Sequence, residues 1–300
     1  MKGNFPEEES EEETEEELPE LYETTVTQIG GVSEGKGTGR VRRRRKEMKL
    51  WVRVLLYVIL FSALAAAAVA GYRLYRGMRE GQQSRSAYEH VRTIASASPS
   101  EEPSGGREET GASAEPDFNA LAEVNPDIAG WLKLEGTVID YPIVQGTDNE
   151  YYLNHLFTRE ENSAGCIFMD AENAADFSDR CTFLYGHNMR NGTMFAALEP
   201  YRNQSYYESH PVMELTLPDG TRQSVELFAG VLGTGDSGYV KTSFADGEEF
   251  LAYVQEMKAQ STFASSVSVG AEDRILGMST CRYDTEDGRF ALFGKLVPPE

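Results

Sequence analysis

Arg274-Ile275-Leu276-Gly277-Met278-Ser279-Thr280-Cys281 is followed, after the polar stretch 282–288, by Arg289-Phe290-Ala291-Leu292-Phe293-Gly294. Two short apolar runs separated by acids and a glycine read as strands, because each is too short for a helix and is bounded by turn-forming residues. The same texture recurs upstream. Runs rich in β-branched or aromatic residues lie at 131–133, 137–143, 166–169, 181–185, 212–217 and 224–231. Pro218-Asp219-Gly220 sits between two of them and predicts a hairpin, since Pro and Gly supply the backbone angles of a tight turn. From Asp117 onward only two segments read as helices. Asp117 to Val124 has a capping Asp and stops before Asn125-Pro126. Asp246 to Ser261 carries Phe250, Leu251, Val254 and Met257 at helical spacing. About eight strands with few helices predict a mainly β fold, a closed barrel, because closure removes the sticky edges of an open sheet. The second helix falls in the long loop before the last two strands.

Charge divides the chain of 300 residues, net −21, into segments. Residues 1–39 open with a Glu-rich run, eleven Glu against one Lys in the first 24 positions, and form an acidic tail expected to be disordered. Residues 40–53 are basic, with Arg40, Arg42 to Arg45, Lys46, Lys49 and Arg53. Val54 to Tyr72 is 19 residues without one ionisable acid, Lys, Arg or His, long enough to cross about 30 Å of hydrocarbon as a helix. Fifty-three residues precede it, so it reads as an anchor and not as a cleaved signal. More bases precede the span than follow it, which predicts a single-pass protein of the cell membrane, N-terminus cytoplasmic and residues 73–300 extracellular. Residues 73–116 read as a stalk and a Ser/Gly/Pro/Glu-rich flexible linker, and 117–300 as the folded extracellular domain. The acidic balance argues against nucleic acid, whose phosphates need a basic face, and the basic run abuts the membrane instead.

The chemistry available to an extracellular domain is then narrow. His155, His187 and His210 are too scattered for an HExxH-type metal site, and neither a GxSxG elbow nor a Walker A loop occurs. His90 lies in the stalk, and His155 and His210 read as structural. What remains is Cys plus His: a thiol becomes a good nucleophile once a base or cation stabilises its thiolate. Cys281 ends an apolar run and Arg289 opens the next, so a hairpin would bring a guanidinium beside the thiol. Cys166 and Cys181 sit among apolar neighbours and read as core thiols, with a disulfide between them as the minor alternative.

Leu184-Tyr185-Gly186-His187-Asn188, Met278-Ser279-Thr280-Cys281 and Gly288-Arg289-Phe290 together resemble the sortase signature. Ile139-Asp140-Tyr141-Pro142-Ile143-Val144-Gln145-Gly146 followed by Asp148-Asn149-Glu150-Tyr151-Tyr152-Leu153 is similar to class B sortases in particular, as is the long interval from His187 to Cys281. The resemblance runs from about Glu123 to Val297. It implies the closed sortase β-barrel and a Gram-positive surface cysteine transpeptidase with Cys281 as nucleophile, His187 as acid and base, and Arg289 stabilising the oxyanion. It also implies that Asn149, Leu153, Tyr239, Val240 and Ser279 contact the substrate. The expected partners are secreted proteins with a C-terminal sorting signal and an amine acceptor, from a peptidoglycan precursor or a pilin Lys; no cofactor and no metal is required. Met278 stands where Leu is more usual, and Arg282 where class B enzymes often carry an acid. Two other readings fit the same residues: a cysteine hydrolase with water as acceptor, and a non-catalytic surface-binding barrel.

Overall fold

The computed structural model describes residues 49–96, 115–234, 238–281 and 288–298. The acidic tail, residues 40–48 of the basic segment, the linker from 97 to 114 and Arg282 lie outside the described residues. The chain separates into two units, Met1–Val58 and Ile59–Glu300.

Eight strands form one closed barrel: β1 (Ile128–Lys133), β2 (Asp140–Val144), β3 (Ile167–Met169), β4 (Cys181–Tyr185), β5 (Val212–Thr216), β6 (Arg222–Thr234), β7 (Arg274–Cys281) and β8 (Gly288–Val297), in the spatial order β1-β2-β3-β4-β7-β8-β6-β5. β5 closes the ring by pairing antiparallel to β1. Each strand coincides with one of the apolar runs. The Pro218-Asp219-Gly220 turn joins β5 to β6, with Gly220 N–H donating to the Leu217 carbonyl at 2.9 Å and the Asp219 carboxylate accepting from Thr221 N–H at 2.8 Å. The pairs β2–β3 and β4–β7 are parallel. Parallel neighbours need a crossover between them, and the one from β4 to β7 carries two of the eight strands, β5 and β6.

Pleating sorts the core into two clusters. Leu184, Leu276, Met278, Phe290 and Leu292 belong to one, and their alternating neighbours Cys181, Phe183, Ile275, Ala291 and Phe293 to the other. Phe250, Tyr253, Val254 and Met257 of a helix spanning Gly247–Ala259 complete the second cluster. This helix starts where the Asp246 carboxylate accepts from the N–H groups of Glu248 and Glu249, a cap that satisfies two otherwise orphaned donors. Its buried stripe differs from the expected one: Tyr253 is fully packed, whereas Leu251 is half-buried at the margin. The reason is that the stripe faces an aromatic surface that the Tyr253 ring meets edge-on at Phe293, with centroids 6.1 Å apart.

In chain order the helices are α1 (Leu50–Ser96), α2 (Phe118–Val124), α3 (Gln204–Ser209) and α4, the one just described. α1 is long and apolar enough to cross a membrane, and its apolar stretch is exposed. The folded unit does not begin at Asp117: Ser84, Tyr88, Val91 and Ala95 of α1 are buried, the last three as members of the barrel core. Their spacing of i, i+4, i+7, i+11 is one helical stripe. Burying Tyr88 and Val91 contributes about 3–6 kcal/mol together. A chain beginning at Asp117 is therefore expected to melt about 10 °C below one beginning near Gly77, as read by circular dichroism; equal midpoints would contradict this packing. α3 and a 3₁₀ segment, Phe195–Arg202, also line the barrel and were not expected from the sequence.

Candidate active site

Strand register assembles the site. β4 and β7 run parallel with Tyr185 opposite Ser279, and Gly186 N–H continues the ladder by donating to the Ser279 carbonyl at 3.2 Å. Two positions further along each strand stand His187 and Cys281, so both emerge at the same rim although 94 positions separate them. β7 and β8 run antiparallel with Cys281 directly opposite Arg289. Residues of three neighbouring strands, one of them 94 positions upstream of Cys281, thus stand at one rim.

A cavity of about 340 Å³ opens at this rim, lined by His187, Arg289, Asn149, Leu153, Tyr239, Val240 and Ser279 among others. All seven of those side chains were singled out in the sequence. His155 and His210 lie outside it: one stacks on Tyr151 at 3.9 Å and the other on Tyr206 at 4.4 Å. Cys166 and Cys181 are buried free thiols, so the disulfide alternative does not hold. They sit in different core clusters, packed among apolar side chains. Burial pushes the Cys166 thiol up to about 12 and Cys181 in the same direction, because a thiolate there would be desolvated.

Local contacts fix each wall. His187 is half-buried, and its Nε2 lies 2.8 Å from the Leu153 carbonyl oxygen. An oxygen of that kind only accepts, so Nε2 carries a proton and Nδ1 is the acceptor of the neutral ring. The residue before it must be small: a Cβ on Gly186 would lie 2.5 Å from Ile167 and 2.8 Å from Phe195. Tyr239 is buried, with its hydroxyl 2.7 Å from Ser279 Oγ, and its carbonyl accepts from the Tyr253 hydroxyl at 2.5 Å. α4 therefore holds the wall that carries Tyr239. Half-buried Arg289 donates from Nη1 to the Gly288 carbonyl at 3.3 Å.

One participant was not foreseen. Buried Asp170 accepts from the Tyr185 hydroxyl at 2.7 Å and from Asn149 Nδ2 at 3.2 Å, while Asn149 Oδ1 accepts from Ala171 N–H at 2.8 Å. The carboxylate orients two cavity-lining side chains at once. Burial first, and the adjacent carboxylate second, push the Tyr185 phenol well up, so it remains a donor. An acid closing the apolar run 166–169 was the available signal, since an acid at the end of a buried strand needs partners.

Chemically, the site offers an imidazole with one fixed proton and a guanidinium lining a cavity of about 340 Å³, with a cysteine at the end of the neighbouring strand, opposite Arg289 in the ladder. That set suits acyl transfer through a covalent intermediate.

No family model matches the chain. It is similar to sortase B of Listeria monocytogenes, 42% identical over 180 residues, covering 59% of this chain and 72% of the relative. It is also similar to sortase B of Staphylococcus aureus, 33% identical over 256 residues, covering 85% of this chain and 98% of the relative. A solved complex of the S. aureus sortase B with substrate superimposes with a TM-score of 0.58 at 35% identity, over 61% of this chain and 85% of that one. Sortase B of Bacillus anthracis, solved in complex with AAEK1, gives 0.64 at 30% identity over 74% of this chain and all of its own length.

Proposed function

Because the chain belongs to the sortase B family, we propose that it is a membrane-anchored cysteine transpeptidase acting on secreted proteins that bear a C-terminal sorting signal. The observation that carries the reading is the shared rim: β4 and β7 run parallel toward the same end of the barrel, and Cys281 pairs in the ladder with Arg289, which lines the cavity.

In this reading His187 Nδ1 takes the thiol proton of Cys281, and the resulting thiolate attacks the carbonyl carbon of the scissile peptide bond. The carbonyl oxygen takes up the negative charge, which Arg289 stabilises. His187 passes that proton from Nδ1 to the leaving amine as the C–N bond breaks, and a thioester remains on Cys281. An incoming amine, from a peptidoglycan precursor or a pilin Lys, then attacks the thioester. His187 takes the proton of that amine and the thiolate departs. Asn149, Leu153, Tyr239, Val240 and Ser279 hold the sorting segment. That the S. aureus relative was solved in complex with substrate supports substrate binding by this fold. α1 spans the membrane with the N-terminus in the cytoplasm, as the eight bases between Arg40 and Arg53 favour. The anchor confines the enzyme where exported substrate and a lipid-linked acceptor meet, at a Gram-positive surface like that of the relatives.

Product analysis with a candidate sorting peptide tests the reaction class. Added amine should divert the acyl group into a new amide; release of the free acid at the same rate and yield with and without amine would mark a hydrolase instead. The support that α4 gives to the cavity wall is testable separately. Tyr253→Phe removes the hydrogen bond to the Tyr239 carbonyl and should raise KM about three- to tenfold, the effect of one lost hydrogen bond, with kcat little changed. An unchanged KM in the folded variant would mean that Tyr239 needs no such support.

A further inference from the structure

We propose that the docked end of α1 positions the His187 imidazole through the peptide between Gly165 and Cys166, making Tyr88 and Gly165 positioning residues for the reaction. This rests on the reading of His187 as the catalytic acid and base.

The path is short and each link is a contact. The Tyr88 hydroxyl, buried on α1, donates to the Gly165 carbonyl at 2.7 Å. The other end of that same peptide unit, Cys166 N–H, donates to the Tyr152 carbonyl at 2.9 Å. The next carbonyl along, that of Leu153, accepts the His187 Nε2 proton at 2.8 Å. A peptide that accepts at one end and donates at the other is polarised by both bonds, so the links reinforce one another. Gly165 makes the approach possible. Its φ is +58°, and a Cβ there would lie 2.5 Å from the Tyr152 carbonyl oxygen and 2.7 Å from that of Leu153, the two oxygens the path runs through.

α1 grips this loop at further points. The Glu80 carboxylate accepts from Ser163 Oγ at 2.7 Å, and the Glu80 carbonyl accepts from Asn162 Nδ2 at 3.0 Å. Gln83 Nε2 donates to Glu160 at 3.0 Å. About two and a half turns of helix, Glu80 to Tyr88, thus bear on the segment 160–165, which packs against the Tyr152 and Leu153 carbonyls. A ring turned away from Leu153 would lose that fixed tautomer and present the wrong nitrogen to the reacting atoms.

The test uses the full-length chain in detergent. Tyr88→Phe should lower kcat about tenfold, part of the roughly 10²-fold that misplacing a catalytic group can cost, with KM changed by less than about twofold. Imidazole ¹⁵N spectra should show His187 protonated at Nε2 in the wild type and a mixture of tautomers in Tyr88→Phe. Arg92→Met is the control, because Arg92 docks α1 on the Asp140 carbonyl at 3.2 Å, away from this loop. It should lose thermal stability yet keep kcat within about twofold. The proposal is overturned if Tyr88→Phe keeps its kcat, if Arg92→Met loses as much, or if wild-type His187 carries its proton on Nδ1. A His187→Ala variant that still turns over would remove the catalytic reading beneath it. An inactive His187→Ala beside a fully active Tyr88→Phe would remove only the positioning link.

Discussion

Cys281→Ala should abolish turnover, by roughly 10⁶-fold in kcat, the scale on which removal of a covalent nucleophile acts. The expectation comes from place and not from residue type alone. The chain has three cysteines, and two of them are fully packed, where burial drives their thiols up and away from the reactive form. Cys281 closes β7 opposite a cation in the ladder, whereas Cys181 opens β4 opposite Ile275. Cys166→Ala and Cys181→Ala should each cost about 1–2 kcal/mol of stability, for a small buried side chain lost from a packed core, and leave kcat within about twofold. Steady-state kinetics and thermal melts on the three variants separate the roles. Turnover surviving in Cys281→Ala would end the assignment of a covalent mechanism to this residue.

Arg289→Lys should lose about 10²-fold in kcat with little change in KM, the scale of removing one oxyanion-stabilising donor. Lysine keeps the positive charge but not the planar fork that can aim two N–H groups at one oxygen. The oxyanion exists only after attack, so a loss confined to the transition state belongs in kcat and not in substrate binding. Arg289→Ala should lose at least as much. The β7–β8 ladder around Arg289, with Phe290 and Leu292 packed in the core, makes the fold insensitive to either change, so thermal midpoints should move little. A Lys variant near wild type would assign Arg289 a purely charge-based role and move the oxyanion donors to backbone N–H groups near Cys281.

The strands were legible because each is a short apolar run ended by turn residues, a local property. Their pairing was not. Nothing in 181–185 or 274–281 says that the two lie side by side and parallel, since that depends on a crossover of β5, β6 and α4 packing as a whole. The motifs could name His187 and Cys281 by resemblance, but only the Tyr185–Ser279 register explains why they share a rim. Two misses had visible signals. Ser84, Tyr88, Val91 and Ala95 form a helical stripe within a segment read as stalk, hidden by its charged neighbours Arg85, Glu89 and Arg92. Asp170 closes a buried strand; its carboxylate accepts locally from Glu172 N–H, but the cavity-lining partners Tyr185 and Asn149 lie 15 and 21 positions away. The 3₁₀ segment and α3 left no periodic signal because each is too short to show one. Tyr253 takes the place of Leu251 in the α4 stripe because 250, 253, 254 and 257 form the i, i+3, i+4, i+7 face, and the Tyr239 carbonyl satisfies its hydroxyl there.

The most direct measurement is intact-protein and peptide mass spectrometry after brief reaction of the full chain with a candidate sorting peptide and no added amine. The account predicts an added mass equal to the N-terminal fragment of that peptide, mapped to the tryptic segment containing Cys281, discharged by an added amine and missing from Cys281→Ala. Peptide cleavage with no adduct on that segment, or with the adduct on Cys166 or Cys181, would contradict it.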